Sequence, residues 1–540
     1  MSSATYRKGE TLIETEKEKD VRLSNIKHAK QICDLVRSSL GPRGMDKMIV
    51  DENKDVLISN DGATIMKNLQ ITHPAAQMLI DISKAQDSEA GDGTTSVVVL
   101  AGALLEAALV LLEKGIHANQ ISQSFQKCLA ESVKILNEIA LPVDLTDQSV
   151  LMKNAVTSLQ SKIVSQYADV LAPIAVRAVN SIVDPALVDN VDLTNIRVVK
   201  KIGATVADTH FIDGLIFANT LTDSKGVVAA HAMRGGPSRI ENAKIGLIQF
   251  CLSPPKTDMD QSVIVADEEA MDRAFRQERD YIRSLIKRIK KTKCNVLLIQ
   301  KSTLRDPVSD LALHYLRKAK IMVIRDIDRR EMEFISKATG ALPTADISYF
   351  TPEKLGTAEL VVQKPIEGGS IIEITGCHHP RVSGHTCSIL CRGSNELMLD
   401  EAERSLHDAL CVMRALIKKP FLLPGGGVPE TECALRLYKK SKEVTGVLSH
   451  CMRAYSDALE IIPTTLAENS GLDAIKVVTE LRAAHNEGIT YAGINCDSGE
   501  IVDMRSLDIL QPLLVNTSAL TLATELVNAI LKIDDIVAVI

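Results

Sequence analysis

Gly91-Asp92-Gly93-Thr94-Thr95-Ser96 runs straight into Val97-Val98-Val99-Leu100, a glycine loop opening an aliphatic helix. Glycines let backbone N–H groups approach an anion, the helix start adds partial positive charge, and three successive hydroxyls can donate to phosphate oxygens. The stretch therefore predicts a phosphate cradle. Asp92 has two readings. It is the N-cap of the helix, or it is a ligand of Mg²⁺, a cation that takes few carboxylates together with phosphate oxygens.

Other loops share this chemistry more weakly. Leu40-Gly41-Pro42-Arg43-Gly44-Met45-Asp46-Lys47 lacks the G-x-x-x-x-G-K-[ST] spacing of a P-loop and reads as a turn ending a helix. Asn60-Asp61-Gly62-Ala63-Thr64 is a turn signature. In Pro424-Gly425-Gly426-Gly427 three glycines suggest either a close backbone approach to a ligand or a flexible joint. Asp408, in His407-Asp408-Ala409-Leu410, reads locally as an i,i+4 partner of Arg404 on an exposed helix face. Lys162, beside Ser161, reads locally as a surface lysine.

Around these loops the texture changes twice. Residues 23 to about 142 are helical, with Ala75, Met78, Leu79, Ile82 and Ala85 at three- and four-residue intervals. Near Ile245 short apolar runs begin to alternate with amphipathic helices, which predicts βαβ units and a parallel sheet. From Glu401 the helical period returns through Ala402, Leu406, Ala409, Leu410, Met413 and Leu416. A helical start, an α/β middle and a helical finish predict nesting, with the two ends joined and two mixed segments, about 151–222 and 377–406, as a connector.

Composition narrows the function. A chain of 540 residues needs about three domains. Its net charge of −7, with 3% aromatics and no Trp, disfavours nucleic acid, because it supplies neither a cationic field nor rings for stacking bases. The apolar run 97–112 is interrupted by Glu106 and is shorter than the roughly 20 residues that span a bilayer, so no membrane anchor is expected. The charged N-terminus supports no signal or transit peptide, which leaves a cytoplasmic address. Eleven scattered cysteines read as reduced thiols. Cys377-His378-His379 with Cys387 and Cys391 invites zinc, but Cys387, Ile389 and Cys391 alternate like one strand face and lack a C-x-x-C knuckle. That reading is rejected.

Taken in order, Gly41-Pro42, Asn60-Asp61-Gly62, the 91–96 loop, Asp408, the triple glycine and Lys532-Ile533-Asp534-Asp535 resemble the chaperonin family, and the motif variants resemble its archaeal and eukaryotic cytosolic branch, group II. The resemblance implies a helical equatorial ATP-binding domain from 1–150 and 409–540. It further implies a mixed intermediate hinge domain from 151–222 and 377–408, and an inserted α/β apical domain over 223–376 with a lid protrusion at about 253–280. It also implies the ligands ATP or ADP and Mg²⁺. Asp92 would hold the metal and Gly93, Thr94, Thr95 and Ser96 the phosphates; Gly41, Pro42 and Gly62 would border the nucleotide. Gly426 would face the nucleoside, Ser161 and Lys162 would sense the γ-phosphate, and Asp61 and Asp408 would orient and activate water. Gln511 stands where many members carry a carboxylate near the ribose; it keeps hydrogen-bonding ability without charge.

The implied partners are seven paralogous subunits in a hetero-oligomeric double ring and non-native client proteins, cytoskeletal ones among them. Met271, Phe275, Ile282, Leu285, Ile286 and Ile289 recur at helical spacing in 263–293, either as a solvated amphipathic helix or, in its first part, as the lid. Leu311, His314, Tyr315 and Lys318, on a helix from about 306 to 320, are candidates for the client face. Two competing functions stand beside an ATP-driven chaperone: a small-molecule kinase or ligase, for which no acceptor-activating constellation is visible, and a structural ring member with little hydrolysis of its own.

Overall fold

The computed structural model describes residues 14–50, 54, 56–71, 73–145, 147–182, 190–219, 236–254, 267–303, 305–366, 369–377 and 385–536. The chain divides into two compact units, one of Met1–Val176, Pro185–Val191 and Glu401–Ile540, the other of Arg177–Asp184 and Asp192–Asp400.

The first unit is helical and built around Thr94–Glu113, whose Val, Leu and Ala residues are buried on most sides. It packs against helices Glu14–Arg37, Pro74–Glu89, Val447–Leu459 and Leu513–Leu531, which come from both ends of the chain. Their aliphatic faces form one core, with Phe125 and Tyr455 edge-to-face within it. At 20 residues and a mean hydropathy of 2.3, Thr94–Glu113 is long and apolar enough to cross a membrane, and Leu513–Leu531 meets the same test. The length argument against a spanning segment therefore fails. In this fold both helices bury their apolar surface in that core. A three-stranded sheet ties distant segments together, with Phe421–Pro424 pairing antiparallel to both Leu510–Pro512 and Leu141–Pro142. Its register sets Leu423 opposite Gln511, so the triple glycine emerges beside that glutamine.

The second unit contains a six-stranded sheet in the order Gly214–Asn219, Gly369–Thr375, Gly356–Ile366, Arg239–Ile248, Val296–Gln300, Met322–Ile327. The last three strands run parallel, as the alternating pattern predicts. The first three join antiparallel, so the sheet is mixed where a parallel one was expected. Only positions 367 and 368 separate strand Gly356–Ile366 from Gly369–Thr375, and so short a connection permits only antiparallel pairing. Ile282, Leu285, Ile286 and Ile289 of helix Glu268–Lys291 are buried with Ala312, Leu313 and Leu316 of helix Asp310–Lys318. Met271 and Phe275, about three and two turns towards the N-terminus from Ile282, are exposed. The lid expectation falls partly on 255–266, outside the described residues. On helix Asp310–Lys318, His314 and Lys318 are exposed, whereas Leu311 and Tyr315 are half-buried against the core.

A second sheet of this unit pairs Cys387–Gly393 parallel to Ile196–Ile202 and antiparallel to His210–Ile212. Cys387 and Cys391 lie on the first of these strands, both fully buried, and the Cys387 thiol donates to the Ala178 carbonyl. His378 and His379 lie outside the described residues. None of the eleven cysteines, all of them among the described residues, is in a disulfide, and eight are buried.

Candidate functional site

A cavity of about 220 Å³ opens in the first unit. Gly41, Asp92, Gly93, Thr94, Thr95, Ser96, Ser161, Lys162, Gly426 and Gln511 all line it. Asp61 and Asp408 stand directly behind that lining. Thr94 Oγ1 donates to Asp61 at 3.0 Å, and Lys162 Nζ lies 2.6 Å from an Asp408 oxygen. Gly62 also sits behind the wall, where a β-carbon would fall 2.7 Å from Thr95 Oγ1 and 2.8 Å from its nitrogen, so only glycine lets the two loops meet. Pro42 is different. It is exposed and is not among the residues lining the cavity.

Backbone geometry leaves the start of helix Thr94–Glu113 open. Gly93 occupies the N-cap in the left-handed region with φ 74°, and no side chain caps the helix. Asp92 accepts only from the Gly93 N–H, at 2.7 Å, so the N-cap reading of Asp92 gives way to Gly93. First-turn N–H groups have no intrahelical partners, which makes such an uncapped start an anion site. Gln86, which the loop motifs do not reveal, holds this geometry. It donates to the Asp92 and Val515 carbonyls and accepts from Ser518 Oγ, fastening the loop to helix Leu513–Leu531.

Four charges meet here. Asp61 caps helix Gly62–Asn68, accepting from the Ala63 and Thr64 N–H groups and from Thr64 Oγ1 at 2.7 Å. Burial alone would raise its carboxyl, but the Lys162 charge and the hydrogen bonds from Thr64 and Thr94 hold it below the usual carboxylate range. Burial likewise opposes the Lys162 charge, yet Asp408, Asp61 and Asp92 together raise its pKa and keep it protonated. Burial pushes Asp408 well up; Lys162 opposes the rise, while Asp61 and Asp92 add to it. One cation thus serves three carboxylates, and burial makes Asp408 hold its proton more firmly than Asp61. Arg404, the neighbour expected for Asp408, pairs instead with Glu401 at 2.7 Å. Lys162, with its side chain 10% exposed, is no surface lysine.

The sequence model of the TCP-1/cpn60 chaperonin family matches residues 32–540. The chain belongs to that family. Its fold is accordingly the chaperonin fold of mixed helices and sheets. T-complex protein 1 subunit delta of Homo sapiens is 54% identical over 523 residues, covering 97% of this chain and 94% of the relative. The delta subunits of Takifugu rubripes, 53% over 537 residues, and Arabidopsis thaliana, 53% over 532, cover 99% and 98% of this chain and 98% and 97% of themselves.

In this chaperonin the cavity also has walls that no motif announces. Helix Gln148–Gln160 contributes Asn154, Thr157 and Ser158, and the first turns of helices Val428–Ser441 and Leu513–Leu531 contribute Glu430 and Asn516. Asn60 Oδ1, Asn154 Oδ1, Ser158 Oγ and Asn516 Oδ1 are buried without a hydrogen-bond partner. Buried polar atoms are normally paired, so four unpaired ones around a single cavity mark a polar ligand's place. Nothing local distinguishes these residues from ordinary helix-surface polar groups.

Proposed function

We propose that this chain is an ATP-hydrolysing subunit of a hetero-oligomeric cytosolic chaperonin, a double ring of this chain and seven paralogous subunits that encloses and folds non-native proteins. Its domains would be equatorial (1–150 and 409–540), intermediate (151–222 and 377–408) and apical (223–376). The observation that carries the reading is the convergence of the 91–96 loop, Gly41, Gly426, Lys162, Asp61 and Asp408 on one cavity edged by unpaired polar atoms.

The residues present fit Mg-ATP. Three carboxylates against one lysine leave the site short of positive charge, so a polyphosphate enters it only with a metal counter-ion. Bound Mg-ATP supplies the anhydride to be cleaved and that divalent charge. Asp92 would hold the metal, and the open N–H groups and hydroxyls of Thr94, Thr95 and Ser96 would hold phosphate oxygens. Asp61, kept ionised by the Lys162 charge and its hydrogen bonds, orients the attacking water. Asp408, whose burial raises its proton affinity, accepts the water's proton, and Lys162 offsets the charge around both. Phosphoryl transfer asks mainly for such positioning and charge stabilisation.

The test is substitution in the assembled particle. Asp61→Ala or Asp408→Ala in this subunit alone should remove its share of total ATP hydrolysis, the affected site losing on the order of 10²-fold or more, with ring assembly unchanged. Unchanged total hydrolysis would instead identify a structural ring member.

A further inference from the structure

Asn516 lies in the first turn of helix Leu513–Leu531, just after the strand that carries Gln511, and lines the cavity while only 7% exposed. Its Nδ2 donates to Glu430 Oε1 at 2.9 Å. Glu430 itself lines the cavity in the first turn of the helix that follows the triple glycine. A carboxyl facing an amide draws the NH₂ group towards itself and so turns the amide oxygen the other way. That oxygen has no hydrogen-bond partner. Its neighbours suit a neutral ligand group, since burial pushes the Glu430 carboxyl up to about 7 against its own backbone N–H and the Asn516 amide.

An unpaired acceptor needs a donor. Ionised phosphate oxygens only accept, so the phosphate half of a nucleotide leaves Asn516 unsatisfied. Donors in the other half are the sugar hydroxyls and the exocyclic amine of the base. We propose that Asn516, oriented by Glu430, accepts a hydrogen bond from a donor of the nucleoside half of the bound nucleotide and so selects for that donor. The inference rests on the nucleotide reading above. It adds a specificity residue outside the loops and beside Gln511. Leaving a buried acceptor unpaired costs enough to discriminate between ligands differing by one hydroxyl or amine.

The experiment is a cycle on protein and ligand together. Full-length wild-type and N516L chains are titrated calorimetrically with the magnesium complexes of ADP, 2′-deoxy-ADP, 3′-deoxy-ADP and inosine diphosphate. Thermal melts check folding, and N516A replaces N516L if the latter does not fold. N516L should weaken ADP about tenfold. For the one analogue lacking the donor, wild-type binding should already be weaker and the substitution should add nothing. A deoxy analogue in that role identifies the sugar, and inosine diphosphate identifies the amine. Equal weakening of all four ligands, or of none, overturns the inference while leaving the nucleotide reading intact. A wild-type chain that binds none of them overturns both.

Discussion

Asp61 does two jobs in the structure, and substitutions can separate them. As N-cap of helix Gly62–Asn68 it accepts two backbone N–H groups, one on each carboxylate oxygen; Asn keeps one acceptor oxygen and so part of the cap, whereas Ala loses all of it, at a cost of about 1 kcal/mol. As the ionised member of the cluster it needs its charge. Asp61→Asn should therefore abolish hydrolysis and lower the chain's denaturation midpoint less than Asp61→Ala does; urea unfolding and phosphate release measure the two effects. Lys162 governs the acid limb. Because the folded-state pKa of Asp61 is depressed, its contribution to stability is present above the ordinary carboxylate value and is lost as pH falls through the folded value. Lys162→Met removes the main charge that depresses it, so acid unfolding followed by circular dichroism should move to higher pH. Glu430 has the opposite sign. Its raised pKa means that wild-type stability is full below about 4.5 and declines as pH rises towards about 7. Glu430→Gln lacks that loss, and should gain on wild type across this window by about 3 kcal/mol in chemical denaturation.

At the scale of elements, the Gly41 loop is held by a helix from the other end of the chain. Asn469, last residue of Ile461–Asn469, donates to the carbonyls of Arg37, last residue of helix Glu14–Arg37, and of Leu40, three residues beyond it. Arg37 returns the contact through Thr465 and Glu468. The Arg37 carbonyl also accepts the Leu40 N–H, at 3.2 Å, but the Leu40 carbonyl is held by Asn469, so the loop loses order when that donor is removed. Asn469→Ala should cost about 1–2 kcal/mol and speed amide exchange over 38–44, read by hydrogen-exchange mass spectrometry. The elements were legible to different depths. Helix Thr94–Glu113 is announced by its glycine loop and aliphatic run, and strands Val296–Gln300 and Met322–Ile327 by their alternation with helices. The three antiparallel strands of the six-stranded sheet are not, because strand direction is set by the connection and the partner, and periodicity carries neither.

For the whole molecule, ligand binding and assembly offer the decisive measurements. A ligand that binds only the folded chain stabilises it by about 2.7 kcal/mol at a hundred times its dissociation constant, so Mg-ADP should raise the melting temperature, and Asp92→Ala should abolish most of that rise. Electron microscopy of the purified assembly should show two stacked eight-membered rings; a stable active monomer would contradict the chaperonin role proposed here.

What the residues announce by themselves is local: a phosphate loop whose glycines and hydroxyls are adjacent in the chain, helix periods, reduced cysteines, and the ordered motifs of the TCP-1/cpn60 family. Tertiary structure alone decided that Lys162 pairs with Asp408 and not Arg404 with Asp408, that Asp61 meets Thr94, and that Glu430 turns the Asn516 amide. The physical reason is one of range. Helix and turn preferences act over a few residues and leave a period that can be read, whereas a contact between segments hundreds of positions apart depends on burial, register and charge in three dimensions and leaves no mark on either segment.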